Sequence, residues 1–312
     1  MRIALVLVAG IPLTAMLSLA ACSSGSDGPG TGQLSLAVSD APVQEARQVC
    51  IEFTEAEFKK AGSANQVVAF DPPAKVDLLA FQGMNAAPLL VDETLEAGEY
   101  QWVRLAVNAP QNGSGGAGAG MNDAECLGEG SYIVTDAGGV HPLYIPSGAE
   151  SGLMLNRGFT LPVGGEADFV AEFDLMKSIH APEGLDPDYI MRPVVHLLDR
   201  AETGSIAGEV DATLASQPDC MAAVHLFYPD EVPDDNEADA EADSIDPIAT
   251  AMVHLQGDGS YTYEIGPVLA GPYDVAFSCD ADDPVTDEVL EYVASADNPV
   301  EVIAGEQAIA DF

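Results

Sequence analysis

Apolar residues recur at every second position in short runs along this chain, and that spacing excludes most folds at once. In LSLAV (34–38), Leu34, Leu36 and Val38 fall on one side. In VCIEF (49–53), Val49, Ile51 and Phe53 alternate with Cys50 and Glu52. EYQWVRLAV (99–107) sets Gln101, Val103, Leu105 and Val107 against Tyr100, Trp102 and Arg104. Tyr261, Tyr263 and Ile265 repeat the pattern near the C-terminus, as do Tyr273, Val275 and Phe277. Period two over five to nine residues is the mark of a half-buried strand. Turn-forming stretches such as SDAPV, EAGEY, DAGGV and PVGGE separate the runs, and no segment reads as a long, capped amphipathic helix. Frequent short strands with Gly and Pro punctuation predict an all-β protein of two antiparallel β-sandwiches in tandem.

Charge shows where one sandwich ends. All ten Lys and Arg lie at or before Arg200, and 26 of the 51 acidic residues follow it. The short stretch AETGS (201–205) joins MRPVVHLLD to IAGEV, so the expected domains are 34–200 and 203–312. A net charge of −41 repels nucleic acid and anionic headgroups, both of which require basic patches. At 47% hydrophobic residues the chain still has the material for two cores.

The first residues, MRIALVLVAGIPLTAMLSLAAC, place Arg2 before an apolar run from Ile3 to Ala21. This is the build of a secretory signal peptide rather than a membrane anchor, with Pro12 and the small Ala20 and Ala21 preparing a cut. Leu19-Ala20-Ala21-Cys22 resembles a bacterial lipobox. That resemblance implies cleavage after residue 21, lipid on Cys22, and attachment to a membrane through more than one acyl chain. Ser23 in place of Asp points to the outer membrane of a Gram-negative cell. SSGSDGPGTGQ (23–33) reads as a flexible tether with an r.m.s. reach of roughly 18 Å.

Four cysteines remain: Cys50, Cys126, Cys220 and Cys279. An even number in an exported chain predicts disulfides. Of the three possible pairings, only Cys50–Cys126 with Cys220–Cys279 avoids a cross-link between the domains. The first pair would pin the long glycine-rich stretch 108–131 to a strand.

Signals for catalysis are weak. The five histidines, His141, His180, His196, His225 and His254, have no metal-binding spacing, and no nucleophile elbow, P-loop or dinucleotide fingerprint is present. In a chain with 51 acids, a pair such as Glu172 and Asp174 is uninformative. The acidic stretch 228–247 offers Asp230, Asp234, Asp235, Asp239 and Asp243 as Ca²⁺ ligands, but it lacks an EF-hand pattern and reads first as a solvated insertion. DADDPVTDE (280–288) is a weaker candidate of the same kind. No cofactor other than Ca²⁺ is expected. Tyr100, Trp102 and Arg104 form a candidate ligand face, since aromatics beside Arg stack on sugars and anchor protein partners.

The pieces GQLSLAVSDAPV, CIEFTEAEFK, VDLLAFQG, LEAGEYQWVRLAV, the run from PSGAESGLMLNRGFTLPVGGE to FDLMKSI, and YIMRPVVHLLD resemble the bacterial lipoprotein family known as domain of unknown function 4382, over residues 32–199. Ala171, Glu172 and Met176 depart from its usual residues, and the family carries no active site to transfer. TGSIAGEV, AAVHLFY and GDGSYTYEIGPVLAGPYDVAF resemble a carboxypeptidase-regulatory-like, or transthyretin-like, sandwich. That resemblance implies an accessory module. The expected function is a non-catalytic binding or adhesion module of the cell envelope, whose partner is a glycan or envelope protein. The alternative is a structural subunit of an envelope assembly, and a secreted hydrolase fits least.

Overall fold

The computed structural model describes residues 30–41, 46–111, 115–119, 125–146, 152–181, 188–230, 247–279 and 292–312. The signal peptide, Cys22, most of the tether, Asp234, Asp235, Asp239, Asp243 and the 280–288 segment lie outside these residues. The described chain is built almost wholly of strands.

The first half runs through β1 (Thr31–Ala41), β2 (Ala46–Lys60), β3 (Gln66–Asp77), β4 (Ala87–Glu96), β5 (Gly98–Val107), β6 (Tyr132–Thr135), β7 (Val140–Tyr144), β8 (Leu153–Leu155) and β9 (Phe159–Leu161). It continues with β10 (Glu166–Asp174), β11 (Ile179–His180), β12 (Tyr189–Met191) and β13 (Val195–Asp199). These strands form two facing sheets. One has the order β13-β10-β1-β4; the other has β11-β12-β7-β6-β2-β5-β8, with β3 also on β2 and β9 on β5. The inward positions read from the alternation are those that pack: Leu34, Leu36 and Val38 meet Val49, Ile51, Phe53, Phe169, Ala171 and Phe173 in one core. Phe53 and Phe173 touch edge to face across it, with centroids 6.4 Å apart.

After a 3₁₀ turn (Arg200–Glu202) the chain enters a second sandwich. Its strands are β14 (Thr203–Val210), β15 (Ala223–Phe227), β16 (Ala249–Met252), β17 (His254–Leu255), β18 (Tyr261–Leu269), β19 (Gly271–Ser278), β20 (Val293–Ala294), β21 (Val300–Val302) and β22 (Gln307–Ile309). One sheet is β17-β18-β14-β22, the other β16-β15-β19-β20 with β21 on β19. Ile206, Val224, Ile265, Val275 and Phe277 form a core of their own. Gly208 is obligatory here, because a Cβ would sit 1.8 Å from the Ala310 carbonyl oxygen.

The architecture matches the expectation of an all-β, two-sandwich chain, with local differences. Among the described residues three pairings are parallel: β1 with β10, β7 with β12, and β14 with β22. Parallel neighbours need a long crossover, and between β1 and β10 the intervening chain adds β4 to the other edge of β1 and otherwise builds the opposite sheet. Residues 31–33, read as the end of the tether, already belong to β1. Thr203 to Ser205, which close the joint AETGS and open the expected second domain, belong to β14.

Both sandwiches share one small device. In Ala97-Gly98-Glu99-Tyr100 and Ala270-Gly271-Pro272-Tyr273 the glycines have φ of 149° and 155°, values that favour glycine. The tyrosine hydroxyls donate to the carbonyls four residues back, Tyr100 to Glu96 at 2.6 Å and Tyr273 to Leu269 at 2.9 Å. This arrangement resembles a tyrosine corner and ties each tight turn to its strand.

Candidate functional site

The cysteines pair within domains. Cys50 bonds Cys126 and Cys220 bonds Cys279. The first disulfide draws the glycine-rich segment over the outer face of β2, where Cys50, Tyr132 and Val134 make a small second core with Ala119 and Cys126 against it. Glu52, which alternation assigns to solvent, anchors the same segment. Its carboxylate accepts from Asn108 Nδ2 at 2.9 Å and from the Gly130 N–H at 3.1 Å, and it pairs with Lys75 at 3.3 Å. Lys75 also donates to the Gly128 carbonyl at 2.6 Å.

The proposed aromatic face does not survive as a triad. A bulge in the β2–β5 pairing sets Lys59 opposite Trp102 but Lys60 opposite Tyr100, so Gln101 is the extra residue. One extra residue moves what lies beyond it to the other face of the sheet. Gln101 is therefore exposed and Tyr100 buried, at 2% exposure. Tyr100 stacks on Phe159 at 4.9 Å and meets Phe58 edge-on, and its hydroxyl also accepts from Gln66. Trp102 and Arg104 stay together on the outer side, half-buried. Arg104 is held by the carboxylates of Glu57 at 2.5 Å and Glu55 at 3.9 Å on β2. Of the acidic-loop candidates, only Asp230 is described. Its backbone N–H donates to Asp274 Oδ2 at 3.1 Å, and it has φ of 65°.

Sequence reading passed over a cavity of about 320 Å³ between the two sandwiches. Asp40, Gln82, Gly83 and Glu172 line it from the first domain, and Met252, His254 and Glu264 are among those facing them from the second. Gly83 has φ of 62°, and a Cβ there would lie 2.8 Å from the Glu264 carboxylate, so the backbone and that carboxylate are in close contact. Beside the cavity, Asp174 caps the helical turn Leu175–Ser178 by accepting from the Lys177 N–H at 3.1 Å. The cap sends the Lys177 side chain across the domain junction. Its Nζ donates to the Pro247 carbonyl at 2.9 Å and lies 3.7 Å from Asp174 Oδ2.

Asp40 ends the apolar face of β1, is 2% exposed, and neither of its carboxylate oxygens has a well-formed hydrogen bond. Burial holds its carboxyl well above the ordinary range; the charges of Glu172 and Asp174 add to this, and the Leu175 N–H works against it. Glu172 keeps some surface toward the cavity but is otherwise surrounded by protein, and burial with the Asp174 charge pushes it up to about 8 against the pull of Lys177. Among the described residues no three His, Cys, Asp or Glu side chains converge as a ready metal cluster. Both carboxylates are poorly compensated for charge, but β1 pairs Ser39 with Glu172 and Asp40 with Phe173, so the two side chains lie on opposite faces of their sheet and each is suited to holding a proton rather than sharing a ligand.

His225 is the other buried titratable group. It lies within β15, fully buried, with Nδ1 3.0 Å from Thr250 Oγ1 and Nε2 2.9 Å from Ser278 Oγ. Burial lowers its pKa to about 3. Both ring nitrogens meet hydroxyls that donate or accept as needed, so the neutral ring is satisfied. His254, on the short β17, is exposed.

No curated protein matches the chain. Among solved structures it is similar, at 9% identity and a TM-score of 0.19, to the Bacillus anthracis TIE protein, covering 91% of this chain and 34% of that one, about a third of its length. A protein of Parabacteroides distasonis, provisionally assigned to cell adhesion, is 9% identical with a TM-score of 0.22, covering 88% of this chain and 84% of that one. The major pilin of Streptococcus pyogenes is 10% identical with a TM-score of 0.16, covering 91% and 98%. At such scores these likenesses carry no argument about the protein. The family model described as domain of unknown function (DUF4382) matches residues 31–193, just over half of the chain and nearly all of the first sandwich, and the chain belongs to that family.

Proposed function

We propose that this protein is an exported, lipid-anchored and non-catalytic binding module of the bacterial cell envelope. The pairing of its cysteines supports this reading most directly. Two disulfides, each closed within one sandwich, need an oxidising compartment. They use four of the five cysteines and leave Cys22, at the end of the apolar leader, for acylation. In this reading the chain is cut before Cys22, acylated there and held on the outer membrane by a Ser/Gly-rich tether. The tether carries the DUF4382 sandwich and then an accessory sandwich of the transthyretin-like kind. The outward Trp102–Arg104 strip is the surface offered to a glycan or envelope protein.

Mass spectrometry of the N-terminal peptide from native membranes tests the anchor: an acylated Cys22 is expected, and an unmodified Cys22 or an intact Met1 overturns it. Glycan arrays and in-cell cross-linking test the binding role. Loss of a bound glycan or protein on Trp102→Ala, in a folded variant, supports it. A partner cross-linked at fixed stoichiometry and indifferent to Trp102 points instead to a structural subunit of an assembly.

A further inference from the structure

β22 lies at the end of its sheet, with β14 on one side and no strand beyond it among the described residues. The pairing continues past β22 itself. The Ser205 N–H donates to the Glu306 carbonyl at 3.1 Å, and the Ala310 and Phe312 N–H groups donate to the Ala207 and Glu209 carbonyls at 3.0 Å each. Backbone groups of successive strand residues point to opposite sides, so with 306, 310 and 312 turned to β14, those of Gln307 and Ile309 point outward. Sheet edges are commonly guarded by Pro, bulges or Lys. Here β4 has Pro88 and two register shifts, and Pro299 interrupts the edge between β20 and β21. EQAIADF (306–312) has no Pro, Gly or basic residue. Its outward side chains are apolar and acidic. Ile309 is 57% exposed, and Ile303 in the turn before it 53%. Glu209, Glu301, Glu306 and Asp311 around them are exposed, in a domain with 26 acids and no Lys or Arg.

We propose that this edge is a docking site for an extended, Lys/Arg-rich segment of another protein, which adds beside β22 as a further strand. Backbone hydrogen bonds to Gln307 and Ile309 hold the incoming strand, and its alternate side chains meet Ile309 on the outer face of the sheet. Charge selects the occupant. A domain with many acids and no base attracts basic segments and repels acidic ones, and opposite charges on paired strands stabilise the pairing. A second copy of this chain is the wrong partner for the same reason: two 306–312 edges laid together set acids against acids, with no base in either domain. The site is on the second sandwich and the Trp102–Arg104 strip is on the first, so it stands or falls apart from the binding role proposed there.

The test uses the full chain from Ser23 and a labelled synthetic peptide alternating Lys with Val, beside the same peptide with Glu in place of Lys. Fluorescence anisotropy reads affinity, and hydrogen exchange reads the Gln307 and Ile309 amides. Those amides should exchange fast in the free chain and become protected by the Lys peptide. The Lys peptide should bind at least about tenfold tighter than the Glu peptide, and weaken about tenfold as NaCl rises from about 0.05 to about 0.5 M. N-methylation of alternate peptide amides should abolish binding. Ile309→Pro removes an outward N–H and leaves the bonds to β14, so it should fold and lose the peptide. Ile309→Lys keeps every backbone group and should weaken binding at least about tenfold by like charge, with an unchanged melting profile. Trp102→Ala should leave binding as it is. Equal affinity for the Glu peptide, binding that survives N-methylation or Ile309→Lys, slow exchange of both amides in the free chain, or a dimer in sedimentation that Ile309→Lys dissociates each overturns the proposal.

Discussion

Acidification should loosen the second sandwich through His225. With 0% exposure and hydroxyl partners on both ring nitrogens, this ring is held neutral, and its pKa falls from 6.5 to about 3. The unfolded chain keeps the ordinary value. Above pH 6.5 neither state binds the extra proton, and the contribution to stability is fully present. As pH falls from 6.5 toward 3 the unfolded state gains a proton that the folded state refuses, so stability is lost. At about 1.36 kcal/mol per pH unit the loss is about 2.7 kcal/mol by pH 4.5, and about 5 kcal/mol once pH reaches the folded value.

The first sandwich has the opposite slope. Glu172, raised to about 8, contributes stability that is fully present below the ordinary carboxylate range and is lost as pH rises toward 8. Urea unfolding of the full chain at pH 7 and 4.5 separates the two. The single Trp, Trp102, reports the first domain by fluorescence, and hydrogen exchange of peptides over residues 223–227 reports the second. Wild type compared with His225→Gln isolates the ring, since glutamine keeps polar contacts and cannot take up the proton. The stability advantage of wild type over the variant should shrink by about 2.7 kcal/mol between pH 7 and 4.5. An advantage that does not change with pH would refute the argument.

The disulfides and the corrected strand face yield two further predictions. Replacing Cys220 and Cys279 together by Ala should cost about 4 kcal/mol in the chain-entropy model for a separation of 59 residues, measured by urea unfolding; a loss below about 1 kcal/mol would show that the reduced chain retains the closure. Tyr100→Ala should cost about 3–5 kcal/mol, as large-to-small changes in a packed aromatic core do, whereas Trp102→Ala on the outer side should cost less than about 1.5 kcal/mol. Equal thermal shifts for the two variants would contradict the bulge at Gln101.

Much of the fold is legible in the sequence because strand alternation is a local property. Leu34, Leu36 and Val38 pack inward on one side of the first core, and Tyr273, Val275 and Phe277 do so in the second, as spacing alone implies. The cysteine pairing also follows from sequence, once the break in charge near Arg200 marks two cores. The tertiary structure decided what no local pattern records. A single bulged residue carried Tyr100 from the candidate face into the core, because side-chain direction depends on register with a partner strand. Glu52 alternates outward as expected, yet it is buried, because a disulfide drags a distant glycine-rich segment over it. Glu172 and Glu264 are unremarkable among 51 acids until two sheets distant in sequence enclose them in one cavity. Periodicity says which way a side chain points within a strand; only the packing of one sheet against another sets how much water and how much opposite charge remain around it.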